Sequence, residues 1–189
     1  DYLLSLRGEA DVRFDCVMGR NALSRPDRSQ ETCQVFAAHL LPGGRLVLSQ
    51  SIPRHTQRLY DLIEWGRDAE LRDKVIAAEE AIYADPTDPM TNWDESDLRA
   101  ALEAAGLTDI RLTVEEQTEE RLITAAHLDR WFGAGEGRPS YRERLAAGGV
   151  TPDETEKIER LFRSRLLDRA VGWRSRSAYI RAEKSSEGR

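Results

Sequence analysis

"FAAHLLPGGRLVLSQ", residues 36–50, carries three signals in one short stretch. Phe36, Ala37 and Leu40 continue from Cys33 at i+3, i+4 and i+7, which predicts an amphipathic helix from about Ser29 to Leu41. Pro42-Gly43-Gly44 then ends it, because proline cannot continue a helix and glycine tolerates positive φ. Leu46-Val47-Leu48 follows as a fully apolar strand core, the pattern of a strand covered by helices on both faces. Upstream, Phe14-Asp15-Cys16-Val17-Met18 is short and β-favouring, and Gly19-Arg20-Asn21 stops it with turn-prone residues. A strand, a crossover helix and a strand of these lengths make a βαβ unit, right-handed in nearly all cases.

Beyond this unit the pattern turns helical. Leu59, Leu62 and Ile63 mark one helix; Leu71, Val75, Ala78 and Ile82 mark a second, with Gly66 as a break between them. "DPTDPMTNWD", residues 85–94, is too rich in Pro and Asp for regular structure. Asn92 and Glu95 have capping-box spacing, and Leu98, Leu102 and Ala105 carry a helix on to Gly106. Ile110, Leu112 and Val114 alternate with polar residues, the mark of a strand with one wetter face. Helix resumes from Thr124 through Trp131-Phe132, "GAGEGRP" reads as a solvated loop, and Pro152 to Asp168 reads as helix. On that helix Glu156-Arg160 and Glu159-Arg163 stand at ion-pair spacing. Ala178, Ile180 and Ala182 alternate in a last strand before the tail "KSSEGR".

Composition bounds the function. A chain of 189 residues, 40% hydrophobic and 33% charged, is long enough to bury a core and is expected to form one domain over 1–184, with 185–189 a disordered tail. No apolar run approaches the ~20 residues of a membrane span, and no signal peptide is visible. Cys16 and Cys33 lie in apolar patterns and read as two buried thiols, so a cytoplasmic protein is expected. His39, His55 and His127 are scattered, with no HExxH or CxxC spacing, so no metal is expected. No GxxxxGK[ST] segment is present to hold ATP phosphates. The net charge of −6 is unevenly spread: residues 157–189 carry +6 and the preceding 156 carry −12. Six arginines fall between Arg160 and Arg176, but no lysine-rich or aromatic stacking run accompanies them. They are expected to dock on the chain's own acids, and direct nucleic-acid binding by this chain is not expected.

Three segments together resemble the second half of a class I S-adenosylmethionine-dependent methyltransferase. "RFDCVMGRNALS" resembles that family's fourth strand and following loop; "FAAHLLPGGRLVLSQ" its helix, Pro-Gly-Gly turn and fifth strand; "NWDESDLRAALEAAGLTDIRLTVEE" its late helix and sixth strand. The Tyr179-Ile180 strand would be the seventh, antiparallel between the fifth and sixth. The resemblance implies an α/β, partial Rossmann-like fold in three layers, mostly parallel, with an antiparallel last strand and inserted helices. It also implies S-adenosylmethionine as cofactor, but only with an N-terminal half this chain lacks. That half supplies a Gly-rich loop after the first strand, whereas "DYLLSLRGEADVR" has one glycine and no strand before it. "GRNAL", "IPRHTQRLYDLI", "AEEAIYADPTDPMTNWD" and Trp173 are similar, more narrowly, to the methyltransferase-like extension fused to RarA-type AAA+ ATPases of recombination and replication-fork maintenance.

Ligands of open α/β sheets bind outside the carboxyl ends of the strands. By resemblance, Asp15, Gly19, Arg20 and Asn21 would border the cofactor, while Arg54, Arg58 and Trp93 would line the substrate side. The plainer readings are that Asp15 caps a turn, Arg20 pairs with a surface acid, Arg54 and Arg58 form a solvated face, and Trp93 staples a helix start. Gln50 and Ser51 end the second strand beside the same crevice. Without its first strands the sheet would expose one side of Phe14–Met18. Either the N-terminal remainder of its own chain, residues 1–12 included, or another copy is expected to cover that edge.

Overall fold

The structure, a computed structural model, describes residues 12–23, 28–88, 90–135 and 137–186. In chain order the elements are β1 (Phe14–Arg20), α1 (Ser29–Ala38), β2 (Leu40–Ser51), 3-10 turns at Pro53–His55 and Leu59–Leu62, α2 (Ala69–Ala84), α3 (Glu95–Ala104), β3 (Leu107–Ile123), α4 (Ala125–Phe132), α5 (Tyr141–Ala147), α6 (Pro152–Leu166) and β4 (Arg169–Lys184). The chain divides into two compact units: Asp1–His55, Thr87–Gln117 and Ser175–Arg189 form one, Thr56–Pro86 and Thr118–Arg174 the other. The expected tail falls mostly, and the expected cover by residues 1–12 almost wholly, outside the described residues.

A four-stranded mixed sheet in the order β1-β2-β4-β3 is the frame of the first unit. β1 pairs parallel with β2, and β2 pairs antiparallel with β4, setting Leu48 opposite Ile180. The Thr108 hydroxyl donates to the Glu183 carbonyl at 3.2 Å while Glu116 meets Arg176, so β3 also runs against β4. β1, β2 and β3 therefore point one way, and the last strand is inserted antiparallel between β2 and β3. The period-2 pattern decides which side chains are covered. Val17, Leu46, Leu48, Ala178, Ile180 and Ala182 share one face and are buried with Cys33, Phe36 and Ala37 of α1 and Leu98, Ala101 and Leu102 of α3. Burial pushes the Cys33 thiol up to about 12.

Four features differ from the sequence expectations. Leu46 and Leu48 are covered but Val47 is only half-buried, because α1 and α3 lie on the same face; Met18, 74% exposed, and Tyr179 occupy the other. Cys16 shares Met18's parity and is exposed, not buried. The helix stops at Ala38, before Pro42-Gly43-Gly44. His39 already accepts the Phe14 N–H at 2.8 Å and Leu40 pairs with Phe14, so the Pro-Gly-Gly residues form an irregularity inside β2 between the Phe14 and Cys16 pairings. The glycines are required there: Gly43 has φ +75°, and a Cβ on Gly44 would stand 2.8 Å from the Leu41 carbonyl oxygen. The capping box also moves. Asp94, not Asn92, caps α3, and Asp97 returns the bond to the Asp94 N–H.

The second unit packs α2, α4, α5 and α6 around Val75, Leu128, Leu145, Ile158 and Phe162, with Trp131, Phe132 and Tyr141 set edge-on or tilted against the Phe162 ring. At its centre is a carboxylate. Glu79, 1% exposed, accepts the Leu59 N–H (2.6 Å), the Tyr60 N–H (3.1 Å) and the Tyr141 hydroxyl (2.6 Å). Three donors satisfy a charge that burial alone would make costly.

Candidate functional site

The carboxyl ends of β1 and β2 are tied together by two polar side chains. Asn21, just past β1 with φ +50°, donates its N–H to the Ser49 carbonyl at 2.8 Å and accepts the Ser51 N–H on Oδ1 at 2.9 Å. Asparagine tolerates this left-handed conformation better than most residues. Gln50, on the inward parity of β2 with Leu46 and Leu48, is 2% exposed, and its Oε1 accepts the Leu23 N–H at 3.0 Å. Residues 21–23, which follow β1, are thereby fixed to the end of β2. Gly19 permits it: a Cβ there would meet Leu48 Cδ2 at 3.1 Å and Ala22 Cβ at 3.2 Å.

A second cluster lies on the turn after β2. The Arg54 guanidinium pairs with Asp94 and donates to Asn92 Oδ1 at 2.5 Å, while the Arg54 N–H meets the Trp93 carbonyl at 3.4 Å. His55 Nε2 lies 3.2 Å from a Glu95 carboxylate oxygen. Burial works to raise the Asp94 carboxyl, but the Ser96 hydroxyl and N–H, the Arg54 charge and the Asp97 contact together hold it below the usual range. Trp93 is 4% exposed in the first unit's core, and its indole N–H has no acceptor among the described residues.

The structure groups the expected site residues unevenly. Gly19, Arg20 and Asn21 sit together at the carboxyl end of β1, with Arg20 exposed. Asp15 is the second residue of that strand, and five residues of strand place it about 16 Å from Arg20. Arg54 and Trp93 are neighbours in the first unit. Arg58 belongs to the second, where it chelates Glu80 (2.7 and 3.1 Å) and covers the Tyr83 ring at 3.6 Å. The two arginines thus each have their own acid. The Gln50–Leu23 and Asn21–Ser51 bonds were not foreseen; the signal for the first is a glutamine at the third inward position of "LVLSQ".

The basic C-terminal end is also engaged by acids. Arg160 lies 3.7 Å from Glu156, and Arg163 meets Glu159 (2.9 Å) and Asp129 (2.8 Å), as the helical spacing implies for the first partners. Arg174 meets Asp61 and Arg176 meets Glu116, both at 2.9 Å. Among the described residues no group of three or more His, Cys, Asp or Glu is placed to hold a metal ion. No helix among them is long and apolar enough to cross a membrane.

No protein-family model and no curated protein matches the chain. Solved structures do. It is similar to a SAM-dependent methyltransferase from Archaeoglobus fulgidus, with 19% identity and TM-score 0.45 over 97% of this chain and 65% of that one. It is similar to the YcgJ protein of Bacillus subtilis, with 13% identity and TM-score 0.41 over 94% and 66%. A phosphoethanolamine N-methyltransferase from Haemonchus contortus, in complex with phosphomonomethylethanolamine and S-adenosylhomocysteine, matches with 12% identity and TM-score 0.38 over 91% and 34%. The chain thus spans two thirds or less of the length of these proteins.

Proposed function

We propose that this chain is the acceptor-side half of an S-adenosylmethionine-dependent methyltransferase-like domain. The observation that carries the reading is the strand order β1-β2-β4-β3, with the last strand antiparallel inside the sheet, above a polar clamp at the carboxyl ends of β1 and β2. The described residues do not fit the cofactor by themselves. Asn21 Oδ1 and Gln50 Oε1 are already occupied by backbone N–H groups, the space beside Gly19 is filled by Leu48 and Ala22, and Asp15 lies at the other end of β1. Cofactor contacts would come chiefly from a companion segment, and no chemical step is assigned through the cofactor. On this reading Arg54, Trp93 and the Asp94 loop border the acceptor, and the partner of the β1 edge is the remainder of the same polypeptide or a second copy. Calorimetry on the polypeptide of the complete reading frame, titrated with S-adenosylmethionine, tests it. Saturable heat is expected; none at millimolar cofactor would sink the proposal.

One observation favours a second reading, a non-catalytic interaction module fused to a RarA-type AAA+ ATPase. Asn21, Gln50, Arg54 and Asp94, the polar groups nearest the crevice, are all bonded within the chain. The sequence encoded ahead of Asp1 separates the two: a phosphate-binding GxxxxGK[ST] loop there favours the module, a lone Gly-rich strand-loop the enzyme.

A further inference from the structure

The "GAGEGRPS" stretch, residues 133–140, has no part in either reading. It lies between α4 and α5 of the second unit, and its described residues, 133–135 and 137–140, are held by local contacts. A Cβ on Gly135 would stand 2.9 Å from the Ser140 nitrogen and would overlap the Arg138 carbonyl oxygen, so glycine is required. The Glu143 carboxylate takes the N–H groups of Ser140 (2.6 Å) and Gly135, and Arg142 Nε donates to the Phe132 carbonyl at 2.6 Å. The loop is therefore fastened at both ends.

Beside it lies a cleft of about 560 Å³, walled by Arg130, Gly135, Arg138 and Ser140 and by Asp129. Asp129 is already neutralised by Arg163 at 2.8 Å. Arg130 and Arg138, both exposed, form no ion pair among the described residues; Arg67, Arg72, Arg165 and Arg169 of the same unit share that lack, but only Arg130 and Arg138 border this cleft. Two guanidiniums thus line one concavity whose described carboxylate is engaged elsewhere. A guanidinium presents a planar fork of donors that matches an oxyanion, and the volume falls within the ~300–1,000 Å³ of small-ligand sites.

We propose that this cleft binds a small molecule through an oxyanion, phosphate or carboxylate, held between Arg130 and Arg138. The proposal is independent of the methyltransferase reading, since it uses none of the residues at the ends of β1 and β2. Titration of the whole chain with inorganic phosphate, with citrate and with chloride at matched ionic strength, followed by amide chemical shifts, tests it. Saturable shifts confined to residues near 129–140 are expected. Response to phosphate alone identifies a phosphate ligand, to citrate alone a carboxylate, and to both a site for either. Arg138→Glu and Arg130→Glu should each weaken binding about tenfold or more, while Arg165→Glu on α6 should leave it unchanged. Circular dichroism confirms that each variant is folded, and a variant that is not is replaced by Arg→Gln. Failure of both phosphate and citrate to saturate, an equal response to chloride, or unchanged binding in both arginine variants would overturn the proposal.

Discussion

Glu79 is the residue on which the second unit most depends. Its carboxylate joins α2 to the Leu59–Leu62 turn through two N–H groups and to α5 through Tyr141. Replacing it by Gln sets an amide NH2 against at least one of those donors, with a cost at neutral pH of about 1–3 kcal/mol. Burial pushes its carboxyl above the ordinary 4.5, against the pull of the Tyr141 hydroxyl and the Leu59 and Tyr60 amides. The fold therefore resists ionisation at this group: its contribution is largest below that ordinary value and is lost as pH rises through the folded value. Urea titrations across pH should show that component in the wild type and not in Glu79→Gln. A variant with unchanged midpoint and unchanged pH profile would contradict this role. Sequence spacing puts Val75, Ala78 and Ile82 on one helix face, but not the buried glutamate beside them, because a periodicity rule counts apolar positions and its hydrogen-bond donors come from residues 59, 60 and 141. Asp15 illustrates the converse: grouped by resemblance with Gly19, Arg20 and Asn21, it lies at the opposite end of β1 from them.

At the scale of elements, the β1–β2 junction and the start of α3 hold the candidate site in place. Gly44→Ala forces a Cβ within 2.8 Å of the Leu41 carbonyl oxygen and 3.1 Å of the Phe14 carbonyl oxygen, so the backbone must shift, at about 1–3 kcal/mol. Gly43→Ala meets nothing within 4 Å and carries only the left-handed penalty, about 1–2 kcal/mol. Thermal melts should rank Gly44→Ala as the more damaging; the reverse order would mean that close approach is not what glycine provides. Asp94→Ala removes the α3 cap and Arg54's partner together, and a loss of about 1–2 kcal/mol is expected in the same melts. The elements themselves were largely legible. The alternating residues of β3 and β4 and the heptad-like spacing of α1 and α6 locate them, because local period suffices. Several boundaries moved, the helix expected on Leu59, Leu62 and Ile63 is a 3-10 turn, and α5 was not foreseen. Helix α1 ends early because Phe14, some 25 residues away, claims the His39 carbonyl, and no local rule anticipates a nonlocal bond.

For the whole molecule, the charge asymmetry read from the sequence resolves in part into pairs: of the six arginines between Arg160 and Arg176, four (160, 163, 174 and 176) meet acids of the chain. Exposed pairs of this kind add little stability, but they leave less free positive charge for phosphate backbones. Fluorescence anisotropy with labelled single- and double-stranded DNA is expected to show no useful affinity at physiological salt. Micromolar binding that vanishes in the Arg163→Glu, Arg174→Glu double variant would refute this. The α/β class was visible from the order of periodic segments, whereas the place of the last strand was implied only by the family resemblance. The uncovered face around Met18 and the division into two units were not, since both depend on which distant segments pack together. On the proposed function, a cofactor crevice opens at the carboxyl ends of β1 and β2 and is completed by a companion segment. Hydrogen exchange on the polypeptide of the complete reading frame, with and without S-adenosylhomocysteine, tests it most directly. Ligand-dependent protection is expected at residues 19–23 and 49–54, and none when this chain alone is exposed to the same ligand. Binding without protection at those residues, or protection in the isolated chain, would contradict it.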